Sequence, residues 1–144
     1  MRKVVVFGAG LVVRAHVRYL LDHGYQVTVA SRTVAKAEAI LDGHPAGTPL
    51  AFDISREPER LSSIVAGHEV AVSLLPWQYH PRVARACLDA GVHMVTTSYV
   101  KDEMKALDAE ARAKGVILFN ELGVDPGIDH MTAMKVIHAV EAAG

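Results

Sequence analysis

The sequence contains a single cysteine, Cys87, among its 144 residues. One cysteine cannot form a disulfide within the chain, and this thiol lies in an alanine-rich segment that is typical of helix packing. The absence of paired cysteines favours a reducing compartment, so we expect a cytoplasmic protein.

Long apolar runs and a surplus of one charge are also missing. No stretch approaches the roughly 18 uninterrupted apolar residues of a membrane span. The N-terminus begins with basic and apolar residues, but glycines interrupt the run and no cleavage site follows, so it predicts a first strand. Fifteen Lys and Arg residues balance sixteen Asp and Glu residues, without a basic block. We therefore expect a small-molecule partner and neither nucleic acid nor a membrane.

Signatures of metal sites and serine hydrolases are absent too. None of the eight histidines pairs with another at i, i+4 on a helix, and Cys87 has no cysteine partner. No G-x-S-x-G nucleophile motif is present. The sequence therefore gives no basis for a metal ion or a Ser-His-Asp triad.

What the sequence does contain is a regular alternation of short β-branched runs with alanine-rich segments of helical length, which predicts successive βα units. The predicted strands are Lys3–Phe7, Gln26–Ala30, Pro49–Phe52, Val70–Leu74, His93–Thr96 and Val116–Phe119. The predicted helices are Leu11–His23, Val34–Asp42, Glu57–Ala66, Pro81–Ala90, Asp102–Lys114 and Ile128–Ala143. With right-handed crossovers these elements form an α/β fold, a Rossmann-type, doubly wound, mostly parallel sheet of about six strands with helices on both faces.

Glycine follows most of the predicted helices, at the position where a left-handed cap residue is favoured. These glycines are Gly24, Gly43, Gly67, Gly91 and Gly115. The last predicted helix carries apolar residues on one face. They are Met131, Met134, Ile137 and Val140. This face predicts contact with a further domain.

The residues Gly8, Ala9 and Gly10 directly follow the first predicted strand and precede a helix, the context in which a glycine motif indicates a dinucleotide site. Gly8 permits a tight turn, and Gly10 lets the backbone approach a pyrophosphate at the helix N-terminus. Val13 stands where the third glycine of the pattern is expected, so the motif is incomplete. The alternative is a glycine turn that binds no ligand.

The end of the second predicted strand indicates which cofactor fits. An NAD site usually has a carboxylate there to bind the ribose 2′-hydroxyl, whereas this chain has Ser31, Arg32 and Thr33. A guanidinium and two hydroxyls suit a 2′-phosphate, so NADP is favoured over NAD. The alternative is that Arg32 is only a solvated charge before the next helix.

Two further strand ends carry candidate cofactor residues. Asp53 follows the third predicted strand, where it either hydrogen-bonds an adenine amino group or caps a turn. Leu74, Leu75 and Pro76 end the fourth strand, the usual position of a loop beneath a nicotinamide ribose, although Pro76 could simply stop the strand.

The most distinctive polar cluster is the segment NELGVDPGIDH at residues 120–130, which follows the sixth predicted strand. A second cluster, TTSY at residues 96–99, ends the fifth strand. Because ligands bind at the carboxyl ends of strands in such sheets, both clusters are candidates for substrate binding. Alternatively, Ser98 and Asp129 cap helices and Asp125 forms a turn.

The motifs GAG, SLLPWQYHP, VTTSYV and NELGVDPGIDHMTAMKVI together resemble the saccharopine dehydrogenase family, in its NADP-dependent, glutamate-forming type. The resemblance extends over essentially the whole chain. It implies a Rossmann domain interrupted, after the DPGIDH segment, by a larger substrate and dimerisation domain. Residues 1–127 then form the NAD(P)-binding domain, and residues 128–144 form the helix that leads toward the absent domain, through which a homodimer would form.

The resemblance also implies the reaction. The secondary amine of saccharopine is oxidised by hydride transfer to nicotinamide, and hydrolysis of the imine gives glutamate and 2-aminoadipate 6-semialdehyde. The reverse direction serves lysine biosynthesis. The full-length protein is then an NADP-dependent oxidoreductase acting on CH–NH donors, and these 144 residues alone are expected to be inactive.

By motif, the resemblance implies that Ser98, Tyr99 and Asp125 contact a saccharopine-like amino acid. The cofactor-side positions, from the glycine motif and the resemblance together, are Gly8, Ala9, Gly10, Leu11, Val12, Ser31, Arg32, Thr33, Asp53, Ile54, Leu75 and Val124. No general base is assigned, since Tyr99 or Asp125 would need a large pKa shift. Competing hypotheses are a related carboxynorspermidine-type dehydrogenase and a stand-alone NADP-binding module without catalysis.

Overall fold

The strands of the sheet all run in the same direction, as successive βα units require. The computed structural model describes residues 2–144. Its strands are β1 (Lys3–Phe7), β2 (Gln26–Ser31), β3 (Gly47–Ala51), β4 (Val70–Ser73), β5 (His93–Thr96) and β6 (Leu118–Phe119). They lie in the order β3-β2-β1-β4-β5-β6. The predicted doubly wound α/β fold is therefore confirmed.

Helices connect the strands and cover the sheet. They are α1 (Val13–Asp22), α2 (Val34–Leu41), α3 (Leu61–Ala66), α4 (His80–Ala90), α5 (Asp102–Lys105), α6 (Asp108–Lys114) and α7 (Ile128–Ala143). Short 3-10 turns, Pro58–Arg60 and Trp77–Tyr79, precede α3 and α4. Across the described residues, no helix has both the length and the apolar character needed to cross a lipid bilayer.

The central strand β1 contributes side chains to the hydrophobic core on both faces of the sheet. Val5 and Phe7 lie in one cluster with side chains of α3 and α4. Val4 and Val6 lie in the other cluster with side chains of α1 and α2. All four are at most 4% exposed. The continuous apolar run at the start of the sequence therefore reflects burial on both faces, as a parallel sheet requires.

The outermost strand differs from its prediction. The run Val116–Phe119 predicts a buried strand, but only Leu118 and Phe119 pair with β5. Ile117 and Phe119 are 56% and 49% exposed. Because β6 lies at the edge of the sheet, one side of it has no neighbouring strand within residues 2–144. Apolar composition alone does not distinguish a central strand from an edge strand.

Two predicted helices are less regular than expected. The predicted helix Asp102–Lys114 is divided into α5 and α6. Leu107 lies at the break and is only 8% exposed, so the break turns this side chain into the core. The predicted helix Glu57–Ala66 starts with the 3-10 turn Pro58–Arg60, and its regular part begins only at Leu61.

One predicted left-handed cap is absent. Gly67 has a φ of −85° and a ψ of 0°, which any residue can adopt. The reason is a tight turn in which the His68 N–H donates to the Val65 carbonyl at 3.0 Å. Such a turn places its third residue near these angles, so the glycine needs no left-handed conformation here.

Helix α7 has the predicted bounds but no packed face. None of its residues is buried. Its predicted apolar residues Met131, Met134, Ile137 and Val140 are each between 45% and 66% exposed. Within residues 2–144, the apolar side of α7 therefore has no partner.

The order of the strands opens a crevice beside β1. From β1 the chain proceeds to β2 and β3 on one side, and then returns to β4 and β5 on the other. The loops that follow β1 and β4 therefore diverge at the carboxyl edge of the sheet. Open α/β sheets bind ligands at this reversal point.

Candidate functional site

A cavity of about 450 Å³, here named the glycine-turn cavity, lies at this crevice. The segments that follow β1, β2, β3 and β4 line it. Its lining includes the predicted cofactor-side residues Gly8, Ala9, Gly10, Ser31, Arg32, Thr33, Asp53, Ile54 and Leu75. The fold thus brings together residues that are far apart in the sequence, while their contact with a cofactor stays a prediction.

The other predicted cofactor-side residues lie outside this lining. Leu11 and Val12 precede α1 and are 103% and 77% exposed. Val124 is 72% exposed and lies in the loop before α7. Leu11 and Val12 adjoin the glycine turn, whereas Val124 is far from it in the sequence.

The glycine turn has the geometry of a backbone cradle. Gly8 has a φ of 114°, and a Cβ atom there would lie 3.0 Å from the Leu74 carbonyl oxygen. A Cβ atom at Gly10 would meet nothing within 4 Å, so the backbone at this point is open. Helix α1 begins after it with no side-chain cap and no acidic residue in its first turn. The positive end of the helix is therefore available to an anion.

Val13 occupies the position of the missing third glycine. Its side chain is 1% exposed and belongs to the core cluster that contains Val4, Val6 and Val17. The valine therefore fills space between α1 and the sheet. Its presence leaves the open backbone at Gly10 unchanged.

Two cationic side chains line the glycine-turn cavity beyond β2. Arg32 was predicted there, and Lys36 joins it one helical turn later, in the first turn of α2. The Thr33 N–H donates to Ser31 Oγ at 3.3 Å, and this hydrogen bond stabilises the bend of the chain at Arg32. Sequence reasoning missed Lys36, which lies four residues after Arg32.

The side chain of Asp53 closes a turn after β3. Its Oδ1 accepts hydrogen bonds from the Ser55 N–H at 2.9 Å and from the Ser55 hydroxyl at 2.6 Å. These bonds hold the pKa of the Asp53 carboxyl below its usual value,. Of the two alternatives for Asp53, the turn cap is the one observed. The carboxylate still lines the cavity and is ionised there.

A second cavity of about 430 Å³ lies beyond the ends of β5 and β6, and we name it the tyrosine cavity. Its lining includes the predicted substrate-side residues Ser98, Tyr99 and Asp125. The Tyr99 hydroxyl donates to Asp125 Oδ1 at 2.6 Å. That hydrogen bond, together with the nearby negative charge, raises the pKa of Tyr99,. Lys101 also lines the cavity, with its Nζ 5.4 Å from the centre of the Trp77 ring.

The polar segment that follows β6 forms a loop tied to the end of β5. The Glu121 N–H donates to the Ser98 carbonyl, and Glu121 Oε1 accepts from the Val100 N–H, both at 3.1 Å. Glu121 adopts a left-handed φ of 62° to make these contacts. This attachment places Asp125 beside Tyr99. Asp125 therefore makes a long-range contact and is not only part of a local turn, which was the alternative interpretation.

The end of this loop depends on Gly127, which has a φ of 145°. A Cβ atom there would overlap the Gly123 carbonyl oxygen. Asp129 Oδ1 accepts a hydrogen bond from the Gly127 N–H at 2.9 Å, as a residue that stabilises a helix start does,. Asp129 is the second residue of α7 and the N-cap is Gly127, so Asp129 stabilises the start of the helix from within its first turn and is not the cap residue of the alternative interpretation.

A buried histidine of the SLLPWQYHP motif, to which sequence reasoning gave no role, lies behind Ser98. His80 Nε2 is 2.8 Å from Ser98 Oγ and 3.1 Å from Thr96 Oγ1, and its Nδ1 is 2.9 Å from Ser73 Oγ. Burial lowers the pKa of His80 to about 4,. Ser98 does not cap the following helix, because α5 begins only at Asp102 with Lys101 as its N-cap.

The two cavities adjoin. Pro76 lines the glycine-turn cavity and the next residue, Trp77, lines the tyrosine cavity. The loop after β4 therefore contributes to the walls of both cavities. Val124 lines neither of them. Among the residues that the structure describes, no group of three or more His, Cys, Asp or Glu side chains is placed to hold a metal ion.

Residues 4–119 match the protein family described as the saccharopine dehydrogenase NADP binding domain. This match extends from the first residues of β1 to the end of β6. The chain belongs to this family. The resemblance inferred from the sequence motifs is thereby confirmed.

Named relatives agree with this membership. The NADP(+)-dependent, L-glutamate-forming saccharopine dehydrogenase of Pyricularia oryzae is 39% identical over 143 residues, which are 99% of this chain and 32% of that protein. The mitochondrial alpha-aminoadipic semialdehyde synthase of Bos taurus is 36% identical over 144 residues, 99% of this chain and 15% of that protein.

A solved structure is similar over the full chain. The apo form of saccharopine dehydrogenase (L-Glu forming) from Saccharomyces cerevisiae superimposes with a TM-score of 0.89 at 32% identity. The similarity covers 100% of this chain and 32% of that one. The chain thus spans about a third of the length of the saccharopine dehydrogenases it matches.

Replacing Asp125 with Asn is predicted to lower the pKa of Tyr99. The hydrogen bond to the carboxylate and its negative charge both stabilise the protonated phenol, and the substitution weakens both effects,. An ultraviolet titration of tyrosinate absorbance compares the wild type with D125N, while Y99F identifies the Tyr99 step by removing it. A Tyr99 pKa that stays the same or rises in D125N contradicts the observed contact.

Proposed function

We propose that this chain is the NADP-binding part of a saccharopine-dehydrogenase-type oxidoreductase. The observation that carries the proposal is the placement of the two cavities side by side at Pro76 and Trp77. Hydride transfer requires the donor carbon and the acceptor ring to be in contact, so adjoining sites are what this chemistry needs. Membership of the family supports the same assignment.

The residues of the glycine-turn cavity fit an NADP molecule. The open backbone at Gly10 and the uncapped start of α1 suit the pyrophosphate,. Arg32 offers a planar fork to the 2′-phosphate, and Lys36 adds a second positive charge,. NAD is less favoured because no carboxylate ends β2,.

The remaining predicted contacts complete the cofactor assignment. Ser31 and Thr33 supply hydroxyl and backbone groups beside Arg32, and Asp53 with Ile54 borders the adenosine end. At the other end of the cavity, Leu75 would contact the nicotinamide ribose. We keep Gly8, Ala9, Leu11, Val12 and Val124 as cofactor-side positions through the family resemblance. Bound NADP supplies the hydride acceptor.

The tyrosine cavity is proposed to bind a saccharopine-like amino acid. Such a molecule carries carboxylates, an ammonium group and a secondary amine. The cavity offers a hydroxyl at Ser98, a phenol at Tyr99, a carboxylate at Asp125 and an ammonium at Lys101. Each substrate group therefore has a partner of suitable polarity.

In the proposed reaction, saccharopine becomes glutamate and 2-aminoadipate 6-semialdehyde, or the reverse in lysine biosynthesis. The nitrogen stays with glutamate, so the C–H bond that breaks lies on the aminoadipate side of the secondary amine. A bound NADP would accept the hydride from this carbon, and water would hydrolyse the C=N bond that remains. We assign no general base. The raised pKa of Tyr99 makes its phenol a hydrogen-bond donor near neutral pH rather than a base,.

A larger protein is part of the proposal, because the matched dehydrogenases are about three times as long as this chain. Residues 1–127 are the Rossmann domain, and residues 128–144 are a helix that leads to a further substrate domain and a homodimer interface. The exposed apolar side of α7 and the open edge of β6 support this division. We propose an enzyme of the cytoplasm that binds small molecules and neither nucleic acid nor membranes.

Two alternatives share parts of this site. A carboxynorspermidine-type dehydrogenase would use the same cofactor and also act on a secondary amine. A stand-alone NADP-binding module would use the glycine-turn cavity alone and carry out no catalysis. The charged lining of the tyrosine cavity favours an enzyme acting on an amino acid,.

The cofactor assignment predicts that the chain binds NADPH at least about tenfold more tightly than NADH, since the 2′-phosphate adds charge-assisted hydrogen bonds. Arg32→Ala should weaken NADPH binding about tenfold and change NADH binding little. Lys36→Ala should show the same pattern with a smaller loss. Isothermal titration calorimetry measures all of these affinities.

The control variant is Arg112→Ala, which removes the same charge from α6, where Arg112 pairs with Asp108. This variant should bind both cofactors like the wild type. Equal affinity for NADH and NADPH would disprove the role of Arg32. If Arg112→Ala weakened NADPH binding as much as Arg32→Ala does, the effect would come from net charge and not from a contact with the 2′-phosphate.

The substrate assignment predicts that the full-length protein reduces NADP with saccharopine and not with carboxynorspermidine. Absorbance of the reduced cofactor follows the reaction directly. The isolated 144-residue chain should bind NADPH but show no turnover, because it supplies only one wall of the substrate site. Turnover of carboxynorspermidine alone would select the first alternative, and no turnover of either substrate would select the binding module.

A further inference from the structure

A network of buried polar residues lies where β4 and β5 end. Within residues 2–144, the buried polar or charged residues are Ser73, His80 and Thr96, each at most 3% exposed. Ser73 and Thr96 are the last residues of β4 and β5 and are partners in the strand register. His80 is the first residue of α4, which packs against these strands. The network therefore lies under the carboxyl edge of the sheet.

This network has one member in a cavity wall. The ring nitrogens of His80 lie 2.9 Å from Ser73 Oγ and 3.1 Å from Thr96 Oγ1, so these two hydroxyls already give each nitrogen a buried partner. Nevertheless, His80 Nε2 lies closer still, at 2.8 Å, to Ser98 Oγ. Ser98 is partly exposed and lines the tyrosine cavity. A network that served only to satisfy buried groups would not need this fourth member.

The chemistry of the histidine suits a fixed support. Burial lowers the pKa of His80 to about 4, so the ring is neutral near neutral pH and its bonds do not change with protonation there,. A neutral imidazole has one N–H donor and one acceptor nitrogen. Nε2 has a single donor or acceptor site, and the shorter distance assigns it to Ser98 Oγ rather than to Thr96 Oγ1,. Where Nε2 donates to Ser98 Oγ, the hydroxyl is free to donate to a carboxylate. Where Nε2 accepts the hydroxyl proton, Ser98 Oγ is free to accept from an ammonium group.

We propose that His80 is a positioning residue that holds the Ser98 hydroxyl at the wall of the tyrosine cavity, where it binds the carboxylate or ammonium group of an amino-acid substrate. The inference rests on the proposed function, because that function supplies the substrate. It adds a residue that the sequence motifs did not assign. His80 acts through Ser98 and does not touch the substrate itself.

Two amide variants separate this role from a structural one. In His80→Gln, the amide nitrogen reaches the position of Nε2 and keeps the contact with Ser98. In His80→Asn, the shorter amide keeps only the contact with Ser73. Each variant loses one side of the network, so urea unfolding should show similar losses of stability for the two.

Kinetics of the full-length protein give the decisive readout. We expect His80→Asn to raise the KM for saccharopine about tenfold, the cost of one lost hydrogen bond to a charged group, with little change in kcat or in NADPH affinity. His80→Gln should restore most of this loss. Ser98→Ala should raise KM to the same extent, and adding His80→Asn to it should cause no further rise. Equal KM values for the Asn and Gln variants, or additive effects in the double variant, would overturn the proposal.

His68→Asn is the matched control, since His68 also bridges two groups, Thr28 Oγ1 at 2.9 Å and the Ile64 carbonyl at 2.8 Å. It precedes β4, at the opposite edge of the sheet. This variant should lose stability and keep the wild-type KM. A raised KM in the control would show that any loss of stability moves this parameter.

The role of His80 can be tested even if the protein does not act on saccharopine. If the wild type does not turn over saccharopine, crystal structures of the two variants decide: Ser98 keeps its rotamer in His80→Gln and leaves it in His80→Asn. If the variants do not fold, nitrogen-15 NMR of histidine-labelled wild type and Ser98→Ala replaces them. Ser98→Ala must shift the Nε2 resonance of His80, and an unshifted resonance or an unchanged rotamer would contradict the proposal.

Discussion

Burial of β1 on both faces of the sheet is the constraint on which the rest of this structure depends. Each fully buried aliphatic side chain contributes about 1.5–3 kcal/mol, and β1 directs Val5 and Phe7 to one side and Val4 and Val6 to the other,. Helices must therefore cover both faces. A chain that covers both faces with right-handed crossovers has to reverse its direction across the sheet beside β1, and this reversal creates the crevice at the carboxyl edge.

The same edge explains why the polar residues that line the two cavities come from distant parts of the sequence. Strand ends deliver Gly8, Arg32 and Asp53 to one cavity, and Ser98 with Asp125 to the next. Between them, the loop after β4 is the shared wall. The hydrogen bond from Tyr99 to Asp125 joins the end of β5 to the loop before α7, so the tyrosine cavity is held by long-range contacts rather than by a single element.

Sequence reasoning succeeded where the signal was local. The bounds of β1 and β5 follow from short β-branched runs between turn residues. The glycine motif that begins at Gly8 predicts a tight turn at that position. It failed where the outcome depends on distant neighbours. Nothing in the apolar run at Val116 reveals that β6 lies at an edge. His80 lies next to a proline in a loop-like segment, and only the register of β4 with β5 places it behind Ser98. The roles of the site residues stay predictions, because they depend on a cofactor and a substrate bound in the two cavities.

The central claim is that one edge of the sheet holds the cofactor next to the substrate cavity. A crystal structure of this chain with NADP tests it most directly. We expect the 2′-phosphate between Arg32 and Lys36, the pyrophosphate against the backbone at Gly10, and the nicotinamide beside Pro76, facing the tyrosine cavity. A cofactor bound elsewhere, or one whose 2′-phosphate contacts neither cation, would contradict the claim.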